Sequence, residues 1–286
     1  MRDETRIAPN REPPTDEPHS RLVQHPAPAP ATSATMPTAA RFALSSAVLP
    51  PLEEALAVGD RVRMALLHGS DGHPVFLGRD SAGQVARGRW HDHAWFLPAD
   101  DDTDGAVDHV VVYARAGFDR AALRALARLR HVWGHGGSDL ALTLVDVGSP
   151  SELGCLRRNA LSHELAPQLG TARIWESLTP FVPPRHIKCR ASGTRDAPHD
   201  QVVRLLELHG FPPARVDELA AGEVTPPRPP SPIGWHSFRR LRASGGGSRG
   251  ANAAFGFRLH FERPVTGPIA LGYAAHQGLG QFVAVE

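Results

Sequence analysis

The sequence is poor in cysteine, in long apolar runs and in phosphate-binding signatures. Its two cysteines, Cys155 and Cys189, are not part of a Cys-x-x-Cys pair, which excludes a disulfide framework or zinc ribbon and favours the cytoplasm. No apolar run approaches the roughly 18 residues that span a bilayer, and the N-terminus lacks the apolar core of a signal peptide, so we predict no membrane partner. The Gly-Lys-Ser/Thr ending of a nucleotide P-loop is also missing, and no cofactor is predicted.

Charge is nearly balanced overall but unevenly distributed. The chain has 31 Lys and Arg against 30 Asp and Glu. Residues 1–150 have a net charge of −4 and residues 151–286 one of +5, and the basic half is almost purely arginine, with Lys188 its single lysine. Arginine suits bidentate phosphate contact and stacking on bases, although a GC-rich genome would also enrich it.

Hydrophobic periodicity predicts an α+β fold of two ferredoxin-like modules in tandem. Residues 1–39 are rich in proline and predict a disordered tail. The first module, 40–149, has the order strand, helix, strand, strand, helix, strand. Its predicted elements are 41–50, Leu52–Leu67, 93–100, 109–117, 119–134 and 140–149.

A second and weaker round follows a predicted linker at 150–170. The second module, 171–286, is predicted to contain a strand at 172–182, a helix at 199–211, strands at 234–242 and 255–261, a short helix at 267–276 and a closing strand at 280–286. A glycine-rich loop lies near its end.

Three histidines are concentrated around one predicted hairpin. His91 and His93 alternate on one face of the incoming strand and His109 opens its partner, so the hairpin is expected to bring the three imidazoles together. An imidazole that titrates near neutrality can take the proton of a ribose 2′-hydroxyl without a metal ion. Two alternatives stay open: a His-x-His metal fragment, and structural histidines bonded to the acidic turn.

That acidic turn, Asp100-x-Asp102-x-Asp104-Gly105, copies the first half of a calcium loop. The twelfth position is Val111, where an EF-hand needs a bidentate carboxylate. An Asp-Gly hairpin turn is therefore the preferred interpretation.

Basic residues and glycines mark the second module as a candidate phosphate-binding part, although plain turn glycines are the favoured interpretation of the glycines taken alone. Arginine or lysine clusters after one strand and flanks Phe238 on another, and four glycines punctuate the segment 267–280. The predicted RNA-binding residues are Arg185, Lys188, Arg190, Arg239, Arg240, Arg242, Gly272, His276, Gly278 and Gly280.

From about Arg41 onward these segments together resemble a known family. The stretches VLPPLEEALAVGDRVRMALL, HDHAWFLPADDDTDGAVDHVVVYARAGFD, TPFVPPRH and FGFRLHFERPVTGPIALGYAAHQGLGQF resemble the C-terminal portion of the CRISPR-associated Cas five–Cas six fusion proteins of type I-U, also called I-G. The last stretch is the most specific, because a loop ending in G-x-G-x-F near the C-terminus is a hallmark of repeat-RNA-binding RAMP proteins.

The resemblance implies an endoribonuclease that binds the CRISPR repeat and cuts the precursor RNA once, without metal, leaving a 2′,3′-cyclic phosphate and a 5′-hydroxyl. It also implies other type I effector subunits as partners. His91 and His93 match the family's His-x-His-Ala motif, with His93 the first choice as general base and His91 the second, and Gly272 to Phe282 matches its glycine-rich loop. Arg185 is the candidate for stabilising charge on the phosphate.

The chain departs from the family in two places. The Cas-five half is absent and the proline-rich tail stands in its place, as in a split or a truncated gene product; Gln277 replaces an expected aromatic residue. Related enzymes place their histidine variably, which keeps His68 and His73 as alternatives. A crRNA-binding subunit without cleavage activity, and a metal-dependent hydrolase built on His91, His93 and aspartates, are the rival hypotheses.

Overall fold

The computed structural model describes residues 36–78, 93–133, 139–154, 166–190, 193–220, 233–240 and 253–285, with the backbone alone for 188–190 and 193–195. Residues 1–35 of the predicted disordered tail therefore lie outside the described residues. Thr38 already belongs to the fold, because its carbonyl accepts a 2.8 Å hydrogen bond from the Ala114 amide.

The first module folds in the predicted strand and helix order. Its strands form one antiparallel sheet in the order β2-β3-β1-β5-β4, in which the four long strands have the ferredoxin-like arrangement. A 3-10 turn, Leu52–Glu54, leads into the first helix. The elements are β1 (Ala39–Ser45), α1 (Ala55–Gly69), α2 (Pro74–Leu77), β2 (Trp95–Ala99), β3 (His109–Tyr113), α3 (Arg120–Arg128), β4 (His131–Val132) and β5 (Leu140–Gly148).

Helices α1 and α3 cover one face of this sheet. Helix α3 begins where it does because the Asp119 carboxylate accepts hydrogen bonds from the amides of Ala121 and Ala122, at 2.9 and 2.8 Å. Each fully buried aliphatic or aromatic side chain in this layer contributes about 1.5–3 kcal/mol. The core includes Val58, Val62, Leu66, Phe42, Phe96, Val110, Val112, Ala122 and Leu126.

The second module has the same strand arrangement with a different connection. Its sheet has the order β11-β12-β6-β10-β9, and β6, β9, β10 and β12 repeat the ferredoxin-like pattern. Short helices at Pro150–Gly154 (α4) and Pro167–Leu169 (3-10) precede it. The elements are β6 (Thr171–Ser177), β7 (Lys188–Arg190), β8 (Gly193–Arg195), α5 (Pro198–Leu208), β9 (Ala214–Leu219), β10 (Gly256–Thr266), β11 (Ile269–Ala270) and β12 (Gln281–Ala284).

Three secondary-structure predictions for the second module are wrong. The predicted helix at 267–276 is a loop with one 3-10 turn, Ala275–Gln277, because Gly272 and Ala274 have φ values of +99° and +56° that interrupt a helix. The sequence pattern does not predict strand β9, because three of its six residues are charged and only Val216 and Leu219 are buried.

The predicted strand at 234–242 is the third error. Residues 234–240 instead contain a 3-10 turn, Trp235–Ser237, and pack on the first module. Trp235 and Phe238 are buried in the first module's core, and the Trp235 ring occupies the space that a side chain at position 256 would need. This apolar pair thus serves the neighbouring module.

The modules meet through the other face of the first sheet. Alternation along β2 sends Phe96 toward the helices and Trp95 and Leu97 toward the second module, where they pack with Leu169 and Ala275. Residues 36–286 accordingly form one compact unit. The ranges 40–149, 150–170 and 171–286 as domain boundaries stay a prediction.

None of the helices in the described ranges is both long and apolar enough to cross a membrane.

Candidate functional site

The glycine-rich loop, residues 271–280, packs on the edge of the first module. Gly278 has φ +101°, and a Cβ there would lie 2.7 Å from Cδ of Pro98 on β2. On the facing helix α1, a Cβ at Gly59 would overlap the carbonyl oxygen of Gln277 and lie 2.8 Å from that of Phe96. Glycine at both positions allows the loop, β2 and α1 to approach within backbone contact.

Two buried glutamines fix this contact. Gln281 Nε2 donates to the carbonyls of Pro98 and Gly278, at 3.0 and 2.9 Å. Gln168 Nε2 donates to the same Pro98 carbonyl at 3.2 Å and to Gln281 Oε1 at 3.3 Å. Strand β2 is a sheet edge, so these amides and the loop cover polar backbone that would otherwise be open.

The contact brings together two histidines from opposite ends of the described chain. The rings of His93 and His276 stack with centroids 3.9 Å apart and planes 8° apart. Nδ1 of His276 lies 3.4 Å from the Ala94 carbonyl oxygen, and a Cβ at Gly78 would lie 3.1 Å from the His93 ring. Both rings are half-buried. A stacked imidazole pair therefore lies where the modules join.

The expected cluster of three hairpin histidines does not form. Trp95 pairs with Tyr113 and Ala99 pairs with His109, so His109 lies at the other end of β2 from His93, about 20 Å along the strand. His109 Nδ1 lies 2.9 Å from Asp108 Oδ1 and 3.4 Å from Asp101 Oδ2. His91 lies outside the described residues. His109 is thus paired with aspartates at the acidic turn, which agrees with the alternative of a structural histidine at that turn.

The acidic turn uses its carboxylates on its own backbone. Asp100 accepts from the amides of Asp104 and Gly105, at 3.1 and 2.9 Å, and Asp104 accepts from Ala106 at 2.8 Å. Burial raises the pKa of Asp100 to about 7, against the lowering effect of the Gly105 hydrogen bond. These bonds support the interpretation as a hairpin turn.

Burial also raises the pKa of the neighbouring Asp101, to about 6, although Arg41 lies 2.6 Å away. Arg41 is fully buried in β1. Asp101 and Arg41 thus form a desolvated ion pair at the end of the first sheet that is remote from His93.

His73 and His68, the alternative catalytic histidines, have different surroundings. Nδ1 of His73 accepts from the Val75 amide at 3.3 Å as the N-cap of α2, and its Nε2 lies 3.2 Å from Asp119 Oδ2. His68 is exposed in the last turn of α1. His73 therefore has a structural role that His68 lacks.

The predicted basic residues are dispersed. Arg185 is exposed, and its backbone is held by Gln201, which accepts from the Arg185 amide and donates to its carbonyl. Arg239 Nη1 forms a 3.0 Å ion pair with Glu54 on the first module, and Arg240 beside it is half-buried. Lys188 and Arg190 lie on β7, and Arg242 is outside the described residues.

The three glycines that are predicted to bind RNA differ in exposure. Gly278 and Gly280 are buried, and their amides donate to the carbonyls of Ala275 and Pro180, at 3.5 and 2.9 Å. Gly272 is half-buried beside the Phe181 ring. Gly278 packs against Pro98 of the first module, and the loop that contains it carries His276.

A recess lies between the modules, and no local sequence pattern predicts it because its residues come from four separate segments. It opens beside Trp95, which contacts the His276 ring edge-on with centroids 5.4 Å apart. Its lining consists of Trp95, Tyr113, Arg115, His209, Phe211, Thr266, Gly267 and Pro268.

Comparisons with known proteins return only distant likenesses in fold. No protein-family model and no curated protein matches the chain. A solved structure described as "CRISPR associated protein Cas6" matches with 8% identity over 88% of this chain and 99% of its own, at a TM-score of 0.41. Another, "An RAMP protein binding different RNA substrates", matches with 15% identity over 88% of this chain and 100% of its own, at a TM-score of 0.39. Scores of this size say nothing about chemistry, and the fold class rests on the sheets themselves: α+β, with two antiparallel sheets of ferredoxin-like order.

Proposed function

We propose that this protein binds a CRISPR repeat RNA and cleaves it once, by attack of a ribose 2′-hydroxyl on the adjacent phosphate. The observation that carries the proposal is the stack of His93 on His276 where the two modules join. The family resemblance of the sequence supplies the substrate, and the stacked imidazoles supply groups suited to the reaction.

His93 is the proposed general base. A neutral imidazole accepts the 2′-hydroxyl proton, the 2′-oxygen attacks phosphorus, and the 5′-oxygen leaves with a proton, giving a 2′,3′-cyclic phosphate and a 5′-hydroxyl. His276, whose ring is stacked on that of His93, is the proposed group that donates the proton to the departing 5′-oxygen.

The rest of the site would bind the RNA backbone. Arg185, with its exposed side chain, is the proposed phosphate-stabilising group, and the strand that carries Lys188 and Arg190 follows it closely. The cut RNA would remain bound within an effector complex with other subunits. The cytoplasm is the expected location.

The test is incubation of the purified protein with its repeat RNA in EDTA. Cleavage at one position, with a 2′,3′-cyclic phosphate end, is the expected result, and a 2′-deoxy nucleotide at that position should abolish it. Cutting that survives the 2′-deoxy substitution would exclude the mechanism.

A metal-dependent hydrolase at His93 predicts the opposite: activity lost in EDTA and restored by a divalent ion. Within the described ranges, the groups close enough to share an ion are Asp101 with Asp108 and His109, and the three turn aspartates Asp100, Asp102 and Asp104. Neither group includes His93. His91, which the metal-dependent hypothesis also uses, lies outside the described residues, so the response to EDTA decides between the two.

The second candidate function is a crRNA-binding subunit without cleavage activity. It is favoured by the packing of His93, whose ring lies against Gly78 and His276 and thus also stabilises the join between the modules. RNA that is bound tightly but stays intact in EDTA, with or without divalent ions, would select this candidate.

A further inference from the structure

We infer that the recess between the modules binds one unstacked nucleobase of single-stranded RNA, adjacent to the phosphate that is cut. The inference deepens the proposed function and rests on it. It assigns a role to residues that the proposed reaction does not use: Tyr113, Arg115, His209 and Phe211.

The first argument is the arrangement of rings. Trp95 is the centre of the recess, with Tyr113 and His209 edge-on at centroid distances of 5.8 and 5.6 Å. Trp95 is 5% exposed, whereas Tyr113, His209 and Phe211 are half-buried and so present part of their surface to the opening. Every nucleobase has a π-face, and bases splayed out of single strands stack on such side chains.

The second argument is the cation at the rim. The Arg115 side chain is exposed and its Nη2 donates to the His209 carbonyl at 3.1 Å, which links β3 of the first module to the end of α5 in the second. A guanidinium held beside aromatic rings can stack on a base or contact its phosphate. The recess has a volume of about 70 Å³, which can take the edge of one planar ring but not a larger ligand.

The third argument is the shared tryptophan. Trp95 contacts His209 in the recess and His276 of the stacked pair, at 5.6 and 5.4 Å between centroids. A base held beside Trp95 therefore lies two rings, Trp95 and His276, away from the His93 ring. Anchoring a neighbouring base would hold the reacting 2′-hydroxyl near His93, which is how binding contributes to rate.

The experiment measures binding of an uncleavable repeat RNA, with a 2′-deoxy nucleotide at the cut site, carrying an abasic site at each position in turn. Wild-type protein should lose roughly 5- to 150-fold in affinity at one position next to the cut. Phe211→Ala should lose a similar factor with intact RNA and no more at that position, because the two changes remove the same contact. Phe255→Ala, a half-buried phenylalanine outside the recess, is the matched control and should keep the abasic effect.

Arg115→Ala changes an exposed side chain and serves as the second variant if Phe211→Ala does not fold. Abasic effects that are the same in wild type, Phe211→Ala and Arg115→Ala would overturn the inference while leaving the proposed function intact. Failure of the wild type to bind the repeat would instead refute the proposed function.

Discussion

The two modules share a strand order but differ in the connection between their third and fourth strands. In the first module that connection contains helix α3, which packs on its own sheet. In the second module the same place is taken by residues 267–280, and this segment contacts the first module at Gln277 and Gly278. The second module thus has a loop where the first has a helix. This loop joins the modules, and it contains His276.

Gly59→Ala should break this join with the largest loss of stability. An alanine in a helix interior usually stabilises by up to about 1 kcal/mol relative to glycine, but this Cβ would overlap the Gln277 carbonyl. We expect the free energy of unfolding to fall by about 1–3 kcal/mol, measured by urea denaturation.

Gly69→Ala is the matched control for this variant. Position 69 is in the same helix, and a Cβ there meets nothing within 4 Å. Equal effects of the two variants would show that the loop does not pack on α1 as described.

Gln281→Ala should destabilise by about 1–2 kcal/mol, slightly less than Gly59→Ala, because it removes hydrogen bonds but adds no steric overlap. The substitution removes the hydrogen bonds from Gln281 Nε2 to two buried carbonyls. The Gly278 carbonyl then loses this donor, and the Pro98 carbonyl keeps only the hydrogen bond from Gln168. Thermal unfolding compared with His199→Ala, an exposed side chain on α5, would measure it. An unchanged melting temperature would be inconsistent with a buried amide network.

The acidic turn should make stability depend on pH through the first module, because the buried aspartates of the turn belong to that module. Asp100 has its folded pKa raised to about 7, so the folded state holds a proton that the unfolded state has lost above about pH 4. Its contribution to stability is therefore present at low pH and lost as pH rises from about 4 to 7. The free energy of unfolding, measured between pH 5 and 8, should fall less steeply with rising pH in Asp100→Asn than in wild type. A steeper fall in the variant would contradict the assignment.

Two arginines should show the smallest effects, in different observables. Arg239→Ala removes a half-exposed ion pair with Glu54 and should cost at most about 1 kcal/mol of stability. Arg185→Ala should leave stability unchanged but reduce the salt dependence of RNA binding by about one unit of slope, as expected for one phosphate contact. An unchanged slope for Arg185→Ala would remove that residue from the binding surface.

Sequence patterns predicted the first module well because its strands and helices bury one continuous set of side chains. They failed where residues are buried by the other module: Trp235 and Phe238 looked like a strand of the second module and pack in the first. The apolar run around Leu271 looked helical, although its amide bonds to the carbonyl of Gly280 across the loop. The pairing of His93 with His276 depends on this loop, and no local pattern contains that information.

The central claim is that His93, stacked on His276, acts as the base in RNA cleavage. The most direct test is the single-turnover cleavage rate of His93→Ala in EDTA, together with its affinity for uncleavable repeat RNA and with His199→Ala as control. We predict a rate lower by about 10²- to 10⁴-fold with an affinity close to wild type, because a general base acts on the chemical step. Cleavage at the wild-type rate by His93→Ala would contradict the account and transfer the role to His91, His68 or His73.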